Sequence, residues 1–137
     1  NTETGEVTFA NAGHNPPLVR HADGSFEYLK VRAGFVLAGM EGVKYRKNEL
    51  QLAPGDVIYL YTDGVTEATN INDELYGEDR LLALLNANKE ASMEELCKLV
   101  KEDVFAFAGE APQFDDITML ALTYCGATAP TNQEEAL

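Results

Sequence analysis

The chain has 137 residues, a formal net charge of -13 and 45% hydrophobic residues, enough for one globular domain with its own core. Such acidity excludes sequence-independent binding of DNA or RNA and docking on an anionic membrane surface, since both need a basic face. It is compatible with cation binding, with a basic protein partner, or simply with solubility.

No apolar run reaches the roughly 20 residues of a membrane span, and no signal-peptide pattern stands at the start. The two cysteines, Cys97 and Cys125, lack metal-type spacing and suit a reducing compartment, so the expected location is the cytoplasm.

The opening Asn1-Thr2-Glu3-Thr4-Gly5-Glu6 is turn-like, lacks an initiator methionine and reads as the middle of a hairpin. Glu6 to Ala10 reads as a strand with Val7 and Phe9 on one face. Asn11-Ala12-Gly13-His14-Asn15-Pro16-Pro17 breaks it, because two prolines cannot donate ladder hydrogen bonds. Extended structure resumes at Leu18 to His21, turns at Ala22-Asp23-Gly24-Ser25 and returns over Phe26 to Lys30. Val31 to Gly42 reads as a loop carrying Phe35, Val36, Leu37 and Met40, expected to join the core. Val43 to Leu52 alternates weakly, as a strand would. Pro54-Gly55 suits the centre of a type II turn, proline fixing one angle and glycine supplying the positive one.

Val57-Ile58-Tyr59-Leu60-Tyr61 is an uninterrupted run of β-formers expected at the centre of a sheet. It delivers Asp63 into a turn, where Gly64 is expected to adopt a backbone angle that a Cβ would resist. Val65 to Glu74 reads as a polar excursion. Glu78 to Asn88 is predicted helical, with Leu81, Leu82, Leu84 and Leu85 as its apolar side. Ser92-Met93-Glu94-Glu95 is a capping box opening a second helix to about Ala108, on which Met93, Leu96, Val100, Val104 and Phe107 recur at helical spacing. Asp115-Asp116 leads into Ile117 to Tyr124, expected as a buried strand. Residues 126–137 read as an acidic, flexible tail. Strands, then two helices, then a strand suit an α+β layer fold with an antiparallel sheet.

Asp63 and Asp115 each adjoin an apolar strand. If those strands are neighbours, both carboxylates meet at one rim. Hard divalent ions such as Mg²⁺ or Mn²⁺ take carboxylate and water oxygens, and two-metal hydrolases use such ions to create hydroxide and neutralise phosphoryl charge. Two carboxylates are too few for a two-metal site without waters or a third acid. The competing reading is that both acids only cap turns.

Five ordered motifs add to this. They are Asn-Ala-Gly-His-Asn-Pro-Pro at 11–17, Pro-Gly-Asp at 54–56, Tyr-Thr-Asp-Gly-Val-Thr-Glu-Ala at 61–68, Tyr-Gly-Glu-Asp-Arg-Leu at 76–81 and Phe-Asp-Asp-Ile-Thr at 114–118. Over roughly residues 1–125 the chain resembles the sporulation stage II E branch of the metal-dependent, type 2C-like protein phosphatases. The resemblance implies an α–β–β–α sandwich with mainly antiparallel sheets and a two-ion Mn²⁺ or Mg²⁺ cleft at one end. It implies hydrolysis of phosphoserine or phosphothreonine by metal-activated water. By the same resemblance Asp63 and Asp115 are metal ligands, Asp116 supports them or forms the turn, and Gly64 lets the backbone pass close to the site. His14 is either a cleft-lining residue or, the preferred reading, a group that bonds its own loop's backbone. Glu67 either bonds the Asp63 turn or is an exposed acid.

One departure matters. The family's N-terminal Asp-x-x-Gly-His-Gly-like motif, which supplies the metal-bridging aspartate, does not occur here. The only Gly-His pair, Gly13-His14, belongs to the loop motif. The expectation is therefore a C-terminal portion of a phosphatase domain that alone binds metal poorly and is inactive. The implied substrate is a phosphorylated regulatory protein of the anti-sigma factor antagonist type, with a sensor or receiver domain upstream. An unpaired N-terminal strand edge makes a homodimer an open option. Two rival readings stand: a non-catalytic partner-binding module with a phosphatase-like fold, and an acidic cation-binding domain unrelated to phosphate.

Overall fold

The computed structural model describes residues 1–11, 13–22, 24–30 and 47–127. The expected loop with Phe35, Val36, Leu37 and Met40, the start of the strand expected at Val43 and nearly all of the expected tail lie outside the described residues. Among the described residues six strands and three helices follow one another: β1 (Glu6–Phe9), β2 (Leu18–Arg20), β3 (Phe26–Tyr28), β4 (Asn48–Gln51), β5 (Val57–Tyr61), α1 (Asp63–Thr66), α2 (Glu78–Ala87), α3 (Met93–Ala108) and β6 (Met119–Thr123). They form a two-stranded sheet, β1-β4, and a four-stranded sheet in the order β3-β2-β5-β6, every pair antiparallel. The architecture is α+β, as the residue pattern predicts.

β5 lies between β2 and β6, and its alternation decides the layering. Val57, Tyr59 and Tyr61 are buried, while Ile58 and Leu60 are half-buried. The buried face meets Leu18 and Phe26 from the neighbouring strands, Leu81 and Leu85 from α2, and Leu96, Val100 and Val104 from α3. The helical stripe expected on α3 is thus core, and its start is the expected capping box: Ser92 accepts from the Glu95 amide while the Glu95 carboxylate accepts from the Ser92 amide at 2.9 Å. Edge strand β3 is closed by a side chain. Asn86 of α2 accepts from the Phe26 amide (2.7 Å) and donates to the Phe26 carbonyl (3.1 Å), so the outward ladder groups of Phe26 are satisfied.

Turn chemistry follows the sequence. Gly55 has φ 94°, and the Asp56 amide donates to the Ala53 carbonyl at 3.0 Å, closing the Pro54-Gly55 turn. The Gly24 amide donates to the His21 carbonyl between β2 and β3.

Two expectations are corrected. β6 is not a buried strand: Leu120 and Leu122 are 54% and 37% exposed, whereas Met119 and Ala121 pack onto the core. The helices cover one face of the sheet only, and an apolar run hides that asymmetry because both of its faces are apolar. Register places Leu122 opposite Ile58 and Leu120 opposite Leu60, so the second face carries a band of apolar side chains. The stretch after Asp63 is not wholly an excursion, because Asp63–Thr66 forms the short helix α1 with Val65 fully buried.

Candidate metal-binding rim

Antiparallel pairing of β5 with β6 brings the end of one strand to the start of the other: Tyr61 faces Met119. The chain beyond Tyr61 is Thr62-Asp63-Gly64, and the chain before Met119 is Asp115-Asp116-Ile117-Thr118. The two acidic segments therefore occupy one end of the sheet.

Thr62 fastens them. Its hydroxyl donates to the Asp116 carbonyl at 2.7 Å and accepts from the Thr118 amide at 3.0 Å, while its amide donates to the Thr118 carbonyl at 3.0 Å. This residue was not singled out from the sequence. The signal available was its position immediately before the Asp-Gly pair, at the end of an apolar strand.

Gly64 closes the contact from the other side. A Cβ placed there would sit 2.4 Å from the Asp116 carbonyl oxygen and 3.1 Å from that of Asp115. No side chain fits. The reason differs from the expected one, since Gly64 is helical within α1 and is not among the residues with positive φ. Space, not a backbone angle, requires glycine here.

The carboxylates themselves face solvent. Asp63, Asp115 and Asp116 are all exposed. Asp115 Oδ1 accepts from the Asp116 amide at 2.7 Å, and the Asp115 carbonyl accepts from the Gln113 side chain at 2.8 Å, so the Asp115 segment is held by local bonds. Beneath the rim, burial pushes the Tyr61 phenol up to about 12, and the charges of Glu78 and Asp63 act in the same direction. Tyr61 is thus a neutral wall at working pH, not a base.

The remaining candidates lie as follows. Glu67 is exposed, and its backbone amide donates to the Asp63 carbonyl at 2.8 Å, closing α1. His14 is exposed. Its ring Nδ1 lies 3.1 Å from the Asn15 carbonyl, and its backbone is held by Asn11, whose Oδ1 accepts from the Gly13 and His14 amides. Asp56, in the Pro-Gly-Asp motif, sits at the opposite end of β5 and is structural. It is 2% exposed and accepts from the Ala22 amide, the Ala53 amide and His21 Nδ1.

The donor chemistry at the rim is hard oxygen, which suits Mn²⁺ or Mg²⁺. The donor number is low: among the described residues no group of three or more His, Cys, Asp or Glu side chains is placed to hold a metal ion. These residues therefore fit part of a metal site.

The stage II sporulation protein E (SpoIIE) family profile matches residues 1–124. The chain is 34% identical over 118 residues to Protein IcfG of Synechocystis sp., covering 86% of this chain and 18% of that protein. It is 29% identical over 123 residues to the phosphoserine phosphatase RsbU of Bacillus subtilis, covering 89% of this chain and 36% of that protein. Its fold matches the SiaA-PP2C domain of Pseudomonas aeruginosa with a TM-score of 0.71 at 28% identity, over 88% of this chain and 46% of that one. The fold also matches the Mn-soaked phosphatase domain of SpoIIE from Bacillus subtilis, with a TM-score of 0.66 at 16% identity, over 90% of this chain and 53% of that one. The chain spans well under half the length of both sequence relatives. A profile match across nearly all of the sequence, with a fold shared by PP2C-type phosphatase domains, places this chain in the SpoIIE family.

Proposed function

We propose that this chain is the C-terminal part of a metal-dependent serine/threonine protein phosphatase, with Asp63 and Asp115 as metal ligands. The observation that carries the reading is the fastening of the Asp63-Gly64 turn onto the Asp115-Asp116 backbone through Thr62. Two remote acids would have no need of so close a join if each only capped its own turn. The name of RsbU, a phosphoserine phosphatase, and the Mn soaking of the SpoIIE phosphatase domain support the same chemistry.

Mn²⁺ or Mg²⁺, when bound, supplies a water of lowered pKa and neutralises phosphoryl charge. The chain's own residues hold the site. Asp63 and Asp115 present oxygens, Thr62 and Gly64 fix the separation of their backbones, and Asp116 lends its amide to orient Asp115. Because the rim gathers few carboxylates among the described residues, the isolated chain binds metal poorly and is inactive, the remaining ligands coming from elsewhere in the phosphatase.

The substrate is a phosphorylated serine or threonine on a regulatory protein of the anti-sigma factor antagonist type, and an upstream sensor or receiver domain sets the activity. The setting is cytoplasmic. No described helix is long and apolar enough to cross a membrane.

The test is Mn²⁺-dependent hydrolysis of a phosphoserine peptide by the full-length protein. Asp63→Asn is expected to reduce turnover by at least about a hundredfold with unchanged secondary structure, since removing a charge-stabilising group from such a site costs that much or more. Turnover equal to the parent's contradicts the ligand role of Asp63, and absence of Mn²⁺-dependent turnover in the parent itself leaves a partner-binding module as the reading.

A further inference from the structure

Beside the acid rim lies a groove of about 550 Å³, bounded by the segment after α1 on one side and the chain between α3 and β6 on the other. Val104 and Ile117 contribute to its base. Leu75, Phe105 and Phe114 stand along it and are 60%, 46% and 81% exposed. Gly64 and Asp115 belong both to the groove and to the rim, so the two are continuous.

The groove is built, not left over. The Asn70 side chain accepts from the amides of Asn72 (2.9 Å) and Glu74 (3.1 Å) and donates to the Glu74 carboxylate (2.8 Å). A bridge between Thr69 and Leu75 closes that loop, and Asp73 is held at φ 59°. The wall bearing Asp73 and Leu75 is therefore fixed before anything binds. Its lining charge is acidic: Glu67, Asp73 and Asp115 line the groove, and among the described residues Lys101, 5.9 Å from the centre of the Phe105 ring, stands outside that lining.

We propose that this groove seats the segment of the phosphoprotein substrate that flanks the phosphorylated residue, selecting one large apolar side chain next to a Lys or Arg. The proposal rests on the phosphatase reading of the rim and adds a sequence preference to it. The apolar side chain covers Leu75 and Phe114, which otherwise face water, and its volume suits a space of this size. The neighbouring cation meets the acids of the wall. The phosphorylated residue, a short way along the same chain, then reaches the rim that shares Gly64 and Asp115.

The test compares short peptides bearing phosphoserine next to Leu-Arg, Ala-Arg or Leu-Glu, for binding to this chain by fluorescence anisotropy and for Mn²⁺-dependent hydrolysis by the full-length protein. The Leu-Arg peptide is expected to bind about tenfold more tightly than either alternative, the loss expected from one unburied Leu side chain or one mispaired charge. Phe114→Ser and Leu75→Ser, both at exposed positions, are expected to erase the preference for Leu while leaving the circular dichroism spectrum unchanged. Added salt is expected to weaken the Arg preference and spare the Leu preference. Equal binding of all three peptides, or an unaltered Leu preference in both variants, overturns the proposal. Turnover without sequence preference sinks the groove and leaves the phosphatase intact; preference without turnover does the reverse.

Discussion

Gly64 is the residue on which the rim's spacing depends. A methyl group there meets the Asp116 carbonyl oxygen at 2.4 Å, a backbone atom that cannot rotate away. The two segments must separate, and the Thr62 bonds to Asp116 and Thr118 stretch with them. Gly64→Ala is expected to cost about 1–3 kcal/mol in urea unfolding, the usual range for overpacking a tight contact. It is also expected to weaken Mn²⁺ binding, although no carboxylate has been touched. Wild-type stability in this variant contradicts the close approach. The position also shows where sequence reading runs out. The Asp-Gly pair marks a special glycine, but a positive φ and a steric contact from a segment about fifty residues away leave the same letter. Thr62 is harder still, since a threonine at a strand end is ordinary until its partners at 116 and 118 are known.

At the scale of elements, the turn into β5 is an electrostatic joint. Burial of Asp56 works against its charged form, but hydrogen bonds from the Ala53 amide, His21 and the Ala22 amide outweigh that and hold its carboxyl below the usual aspartate value. A carboxyl depressed by folding stabilises the native state above its unfolded pKa, and that stability drains away as pH falls through the lower, folded value. Unfolding measured from neutral to acid pH is expected to show stability falling below the ordinary carboxylate range, with that part of the slope absent in Asp56→Asn. An identical acid limb in the variant contradicts the role. The Pro54-Gly55 turn was readable from its residues, since proline and glycine each set one angle. So was α3, because an apolar stripe at helical spacing and a capping box point to the same boundaries. β6 was misjudged for a reason of principle. Period-2 alternation reveals a one-sided strand only when its second face is polar, and here that face carries Leu120 and Leu122. α1 was missed because four residues are too few to show a helical period.

Across the whole molecule, a strongly acidic chain folds so that two aspartate-bearing segments from remote sequence close one end of a sheet, with an apolar groove opening beside them. The order of elements and the meeting of the two segments that carry Asp63 and Asp115 were legible, because each acid adjoins an apolar strand and antiparallel neighbours bring such ends together. The groove was not legible, since Leu75, Phe105 and Phe114 come from a loop, a helix and a second loop that are separate in sequence. The central claim is that this rim holds a divalent ion, and paramagnetic line broadening by Mn²⁺ tests it most directly, because it registers weak binding without needing turnover. In nitrogen-15 spectra of this chain, substoichiometric Mn²⁺ is expected to broaden the amides of residues 62–65 and 115–118 first, with the effect lost in Asp63→Asn and reversed by a chelator. Broadening spread evenly over the acidic surface, or unchanged at those residues in Asp63→Asn, would contradict the account.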